Sequence, residues 1–582
     1  MRKSIILIKL FTILLSIILF SNCRKNSSGV NFGYVNVPLS SEISTLDPAN
    51  SYDTISASVV YQGYEQLYEY HYLKRPYTLK PLLADGMPKI SKDGKTYTIN
   101  IKKNIRYHDD PAFNGKTRFL NAQDFITQLK RLAYLPTKSN GWWLFDGRIE
   151  GINDFRNSVG SDFSKFQSEN ISGIKALSSH KLEIKLTKPY PQMLYTLAMS
   201  FTTPMPIEVV IKYKNLLHDK MIGTGPFELV KWNKNSSLKL VKFKHYRETF
   251  YPRQGDRQAN SLKLLTDAGK RLPFLKGVNF TIIKESQTRW LNFRSKKIDF
   301  LIIPKDNYAS AIDHSGSLSK ELLKDKIKLQ IFPTLTYWWL SFNMTDPLLG
   351  KNLLLRKAIA HAVNVEKYIT FFTNNIGQKA NSIYPPGIPG YDPAGQLPYG
   401  YNLKLAKKYL AQAGYPEGKG LPTLNYDVRG ASATNRQQAD FIKIELAKIG
   451  INVKVSLNTF PGFLKKMRNG KLQFWQDGLA MDYPDAENSL QLLATKNHSP
   501  GPNATFYSNK KFDAYFEELK TIPDGFRKKY LMREMEKIVH EELPWIMQYY
   551  ARNYILYHNH LKNYRHSDLI YNNMKYLRTS EQ

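Results

Sequence analysis

Residues 335–368 read LTYWWLSFNMTDPLLGKNLLLRKAIAHAVNVEKY. The run Leu335–Phe342 is almost wholly apolar and aromatic, which predicts a strand. Tyr337, Trp338 and Trp339 alternate about it, so at least one ring faces away from the core. One of Trp338 and Trp339 is therefore a candidate to line a cleft. A loop bearing Pro347 follows. Leu355, Ile359, Ala362 and Val363 then share one face of a helix. That helix is core, and His361 on it reads as a packed or surface histidine. Downstream, Asn402–Gly414 predicts a helix stopped by Gly414. Leu424–Val428 follows as a strand, Arg436–Lys448 as a helix and Ile451–Val455 as a strand. This alternation argues for an α/β domain.

A second stretch, Gln473–Leu493 (QFWQDGLAMDYPDAENSLQLL), carries the chemistry. The chain has 83 Lys+Arg, yet none falls between Lys471 and Lys496, where Asp477, Asp482, Asp485 and Glu487 lie. A short strand, Leu479–Met481, runs into Asp482, and Pro484 opens a helical pattern. Two readings of Asp482 stand side by side: a cap for that helix, or a carboxylate at a strand end that holds a ligand's positive group. Asp485 or Glu487 would serve the helix start equally well.

At 582 residues, with 42% hydrophobic and 13% aromatic content, the chain is globular and suggests two or three domains. The net charge of +34 comes without a dense basic run, so it reads as a scattered surface excess and nucleic acid is not an expected partner. Cys23 is the one cysteine, which rules out a disulfide within the chain. It closes MRKSIILIKLFTILLSIILFSNC, where a basic start and the apolar Leu10–Phe20 form a secretory signal too short to span a bilayer. A cysteine at the cleavage point resembles a bacterial lipoprotein signal, although Phe20 and Asn22 depart from the usual box. Acylation of Cys23 would tether a soluble body to a membrane through the polar residues Arg24–Gly29.

Further along, Val30–Val37 suggests a first strand and Ile55–Tyr68 a helix. Asp93–Gly94 marks a hairpin turn, and Asn121-Ala-Gln-Asp124 a capping arrangement ahead of a helix with Phe125, Leu129 and Leu132 on one face. Gly141–Asp146 (GWWLFD) is an exposed-looking aromatic loop; a lid or a membrane-touching tip is one reading, core packing is the preferred one, and no site role is assigned to it. Arg247–Arg271 reads as a long basic surface insertion. Gly223-Thr-Gly-Pro-Phe227 lacks the Lys-Ser/Thr of a phosphate loop and a third glycine. His108-Asp109-Asp110 lacks further ligands at metal spacing, and His540-Glu541-Glu542 lacks a second histidine. No Ser-His-Asp or paired-cysteine motif supports catalysis. A non-enzyme without cofactor or metal is expected.

The order Leu46-Asp-Pro-Ala49, Tyr64–Tyr68 (YEQLY), Leu82–Gly86 (LLADG), Asp93–Asp109 (DGKTYTINIKKNIRYHD), Asn121–Leu132 (NAQDFITQLKRL), GTGPF and Leu355–Asn364 (LRKAIAHAVN) resembles the extracytoplasmic solute-binding proteins of family 5, the peptide- and nickel-type binding components of ABC importers. Asp482-Tyr483-Pro484-Asp485 matches that family's D-Y-x-D, while Leu479 stands where tryptophan is frequent. The resemblance implies an α/β, periplasmic-binding-protein-like (type II) fold of two lobes with an inserted domain. Residues 1–22 are then signal, 23–29 tether, 30–75 and 196–332 lobe I, 76–195 the inserted domain, 333–540 lobe II, and 541–582 a return to lobe I. It also implies that Asp482 pairs with a peptide's α-ammonium, that Gly478 and Ala480 hydrogen-bond the peptide main chain beside Leu479, and that the loop Tyr52–Thr54 does so from across the cleft. Cys23 would carry the lipid. The implied function is peptide capture, by a monomer in the periplasm or on the cell surface, for delivery to an ABC permease and ATPase. A non-peptide solute (metal chelate, sugar or haem) or an adhesion lipoprotein is the alternative.

Overall fold

The computed structural model describes residues 32–580 apart from 314, 431, 432, 459 and 500. Cys23 and the signal segment lie outside the described residues. Three sheets organise the chain. The first pairs Tyr34–Leu39, Gly277–Ile282, Ser237–Lys242 and Phe227–Asn233 in that order. The second, Lys89–Ile90, Thr96–Asn100, Lys181–Lys185 and Ile174–Ser178, is antiparallel throughout. Gly94, at φ +70°, makes the turn expected at Asp93–Gly94. The expected capping box is also present: Asn121 caps Ala122–Ala133, and the Asp124 carboxylate reaches back to the Asn121 N–H at 2.9 Å.

The third sheet has seven strands and is built on Ile327–Phe342. Trp545–His558 runs antiparallel on one side of that strand and Phe474–Ala480 on the other. Phe300–Ile302 and Gln378–Lys379 also pair with Trp545–His558. On the far side, Leu424–Arg429 and Val453–Asn458 are parallel, with helix Ala433–Ala447 between them in sequence. This is the α/β alternation expected there. Helix Leu353–Ala362 buries Leu355, Ile359 and Ala362, and His361 is buried with its Nδ1 2.8 Å from the Gly400 carbonyl.

Successive side chains of the central strand go to opposite faces, but both faces are covered. Tyr337 and Trp339 belong to one apolar cluster, Leu340 and Phe342 to another. Trp339 is 2% exposed, lies 4.5 Å from Trp545 centre to centre, and donates its indole N–H to Ser341 Oγ at 2.8 Å. Trp338 is half-buried on the other face, beside Tyr549. Alternation therefore frees neither ring, as in other sheets covered on both sides.

Two local expectations are revised. The helix after Asp53 ends at Gly63, not near Tyr68, because Tyr68–Tyr70 pairs with Leu79–Pro81. Arg247–Arg271 is no loose insertion. Thr249–Phe250 pairs with Arg271–Leu272, Tyr251 is buried, and Asp267, fully buried, accepts hydrogen bonds from Lys270, Asn563 and Arg578. Two of these partners, Asn563 and Arg578, lie some three hundred residues away, beyond the reach of local pattern. The last segment docks beside residues 62–73: Lys575 pairs with buried Glu69 at 2.7 Å and Tyr576 stacks on Tyr72 at 4.3 Å.

Candidate functional site

Phe474–Ala480 carries the site. It is paired with the central strand along its whole length, Phe342↔Phe474 through Thr336↔Ala480. On its other side the parallel ladder with Leu424–Arg429 covers only Phe474 and Trp475. From Gln476 to Ala480, one edge thus has no strand partner among the described residues. An unpaired edge is a template for another extended chain. Ala480 is exposed; Gly478 and Leu479 are half-buried. Gly478 is there for space, since a Cβ would stand 2.6 Å from the Trp338 ring. Asp477 accepts from the Trp475 indole (3.2 Å) and the Gly478 N–H (2.9 Å), with Arg429 at 3.7 Å.

The strand delivers the chain to Asp482. The helix that follows, Ala486–Leu490, is capped by Asp485, whose carboxylate accepts from the Glu487 N–H at 2.9 Å. Pro484 thus precedes the cap instead of opening the helix, and Asp482 is released from capping. Asp485 is neutralised by Lys528 at 2.5 Å, both side chains at most 5% exposed. Glu487 is buried against Tyr483, Tyr190 and Arg148. Asp482 is left with neutral donors: Tyr52 OH at 3.0 Å and the Asn488 amide at 3.2 Å. Asn488 is fully buried, and its Oδ1 takes the Asp482 N–H at 2.9 Å, so it fixes the carboxylate's position. No cation among the described residues pairs with Asp482. Burial pushes its carboxyl above the ordinary aspartate range, with Glu487 adding in the same sense. The site holds a half-buried carboxylate with no positive partner, which favours a cation from outside.

Tyr52, Leu479 and Asp482 line one cavity of about 820 Å³, within the size range of small-molecule and peptide sites. Of the other expected contacts, none of Gly478, Ala480, Thr54, Trp338 and Trp339 lines it, although Gly478 and Ala480 flank Leu479 on the strand. Three further lining residues were missed from sequence: Trp143, Arg148 and Tyr190, with the Arg148 guanidinium 4.0 Å over the Tyr190 ring. In Gly141–Asp146, read as core packing, Leu144 and Phe145 are indeed buried while Trp143 is half-buried at the cavity. The two adjacent tryptophans were the available signal, but which one faces the cavity depends on a short 3-10 turn. A second cavity, of about 540 Å³, lies between Lys357–His361 and Phe526–Glu542, and Asp482 is not among the residues that line it.

The model of the bacterial extracellular solute-binding proteins, family 5 Middle, matches residues 78–501. The chain belongs to that family. The dipeptide-binding protein of Escherichia coli (strain K12) is 24% identical over 466 residues, 78% of each chain. Heme-binding protein A of Haemophilus influenzae is 23% identical over 534 residues, 90% of this chain and 87% of that one. Among solved structures, the ABC transporter-associated periplasmic binding protein DppA of Helicobacter pylori, in complex with peptide STSA, superposes with a TM-score of 0.72 at 24% identity, over 94% of this chain and 99% of that one. The two-lobe family fold is thus the fold of this protein. No helix of the described residues is long and apolar enough to cross a membrane.

Proposed function

We propose that the protein is the extracytoplasmic binding component of an ABC importer and that its ligands are peptides, captured as the two lobes close. The observation that carries this reading is the open strand edge running into an unpaired carboxylate. Main-chain groups from Gln476 to Ala480 offer strand addition, which reads an extended backbone without reading side chains. Each such bond contributes roughly 0.5–1.5 kcal/mol and a charged one roughly 1.5–3 kcal/mol. The α-ammonium at Asp482 fixes the register, and Tyr52 meets it from across the cleft. The names of the E. coli relative and the H. pylori complex support the ligand class.

In this reading residues 30–75 and 196–332 form lobe I, 76–195 the inserted domain and 333–540 lobe II, with 541–582 returning to lobe I. The body works as a monomer tethered through acylated Cys23 in the periplasm or on the cell surface, beside its permease and ATPase. Mass spectrometry of whatever the purified protein releases on denaturation tests the ligand class. Peptides are expected; haem, a sugar or a metal chelate in stoichiometric amount would overturn the reading.

A further inference from the structure

The residues that follow Asp482, Tyr483 to Glu487, are held from two sides. On their own side the side-chain contacts are short. Asp485 accepts from Lys528 at 2.5 Å and from the Glu487 N–H at 2.9 Å, and the Tyr483 hydroxyl donates to the Glu487 carboxylate. The other side is a single stretch, 148–195, of the unit built on the second sheet. The Ile149–Leu186 bridge and a 3.0 Å hydrogen bond from the Tyr97 hydroxyl to the Tyr190 carbonyl tie that stretch to its sheet. Across this seam the polar contacts are long. Arg148 Nη2 stands 3.7 Å from Glu487 Oε1, the Tyr190 hydroxyl 3.4 Å from Glu487 Oε2, and the Gln192 amide 3.5 Å from Asp485 Oδ1. Tyr195 stacks on Tyr483 at 5.9 Å. Arg148 Nη1 and Gln192 Oε1 are buried without a hydrogen-bond partner. The seam is therefore polar, water-poor and incompletely joined, and a slightly closer approach brings its long contacts into hydrogen-bond range.

Glu487 is 1% exposed, and Arg148 is the cation paired with it among the described residues. A carboxylate so buried needs a positive partner. Its own side supplies none, because Lys528 is taken by Asp485 and Asp524. Parting the two stretches would return Arg148 and Glu487 to water, so the pair holds only while the stretches touch. We propose that the inserted domain is the latch of the closed cleft: Arg148, with Tyr190 and Gln192, grips Tyr483–Glu487 and so holds the Asp482 carboxylate on its ligand. These are positioning residues that act through the segment next to Asp482, not through the peptide. The inference rests on the peptide reading and deepens it. The inserted domain sets how long a peptide stays, whatever its sequence.

The test is calorimetric titration and stopped-flow dissociation of the full chain with trialanine, its N-acetyl form and its C-terminal amide. The proteins are native, Arg148→Met, Glu487→Gln and the double variant. Each single variant should bind every peptide about tenfold or more weakly than native, with the loss in the dissociation rate. The double variant should be no more than about threefold weaker than the weaker single, because both changes remove one interaction. Methionine keeps an aliphatic stem beside Tyr190 and glutamine keeps an acceptor for Tyr483, so both variants should fold, with a cooperative melt as the check; if one does not, the other decides alone. A pair that only stabilised its surroundings would lower the melt and leave dissociation unchanged. If the single variants release peptide within about threefold of the native rate, if the losses multiply in the double variant, or if the amide alone escapes the loss, the latch is refuted and peptide capture stands. If the native protein binds none of the three peptides, the peptide reading falls and the latch falls with it.

Discussion

Replacing Asp482 by asparagine isolates the charge at the strand end. The substitution keeps the shape. One amide atom still meets Tyr52 and the other Asn488, because both partners are neutral and the hydroxyl and the amide each can donate or accept. Only the negative charge is removed. A charged hydrogen bond contributes about 1.5–3 kcal/mol, so a peptide with a free amine should lose roughly 10- to 150-fold in affinity. The same peptide acetylated at its amine has no cation to lose and should weaken by no more than about threefold. Free asparagine variant and free native protein should differ the other way. Because burial raises the folded-state carboxyl, native Asp482 binds its proton more tightly folded than unfolded, and stability falls as pH rises through that raised range. Asparagine escapes this cost, so the free variant should melt higher than native at neutral pH. Calorimetric titration with the paired peptides, beside thermal melts without ligand, reads both effects. Equal affinity losses for free and acetylated peptides would refute the ammonium role.

The same carboxylate predicts a pH profile: a bound ammonium favours the ionised form, so affinity for a free-amine peptide should decline as pH falls through the raised range and decline again on the alkaline side as the peptide's α-amine loses its proton at pH ~8, and Asp482→Asn should abolish the acid-side decline. Lys528→Met strands Asp485 at the head of a buried helix without its cation, which should cost about 3–5 kcal/mol in urea unfolding. Gly478→Ala drives a methyl into the Trp338 ring; overpacking of about 1–3 kcal/mol should appear in the melt, together with weaker peptide binding, because the strand that shifts is the one with the open edge.

Much of the scaffold was legible in the sequence because it is set by local rules. The Asp93–Gly94 hairpin, the Asn121–Asp124 capping box and the helix face of Leu355, Ile359 and Ala362 each follow from side chains a few residues apart. The family motifs also pointed to Asp482, and the absence of lysine and arginine from 472–495 hinted that a positive charge was to come from elsewhere. What the sequence left open was which role Asp482 takes, since a cap and a ligand carboxylate look alike at a strand–helix junction. Tertiary structure removed the cap reading by giving the cap to Asp485, its charge to Lys528, and only neutral partners to Asp482; the ligand role is the one proposed above. Tyr52 is 430 residues from Asp482 in the chain, and Trp143, Arg148 and Tyr190, which line the same cavity, are some three hundred residues away. Charge balance and open strand edges are sums over neighbours in space, and no spacing along the chain reports them; the same long-range pairing made a docked module of Arg247–Arg271 and enclosed Trp339 while leaving Trp338 half-buried on the other face.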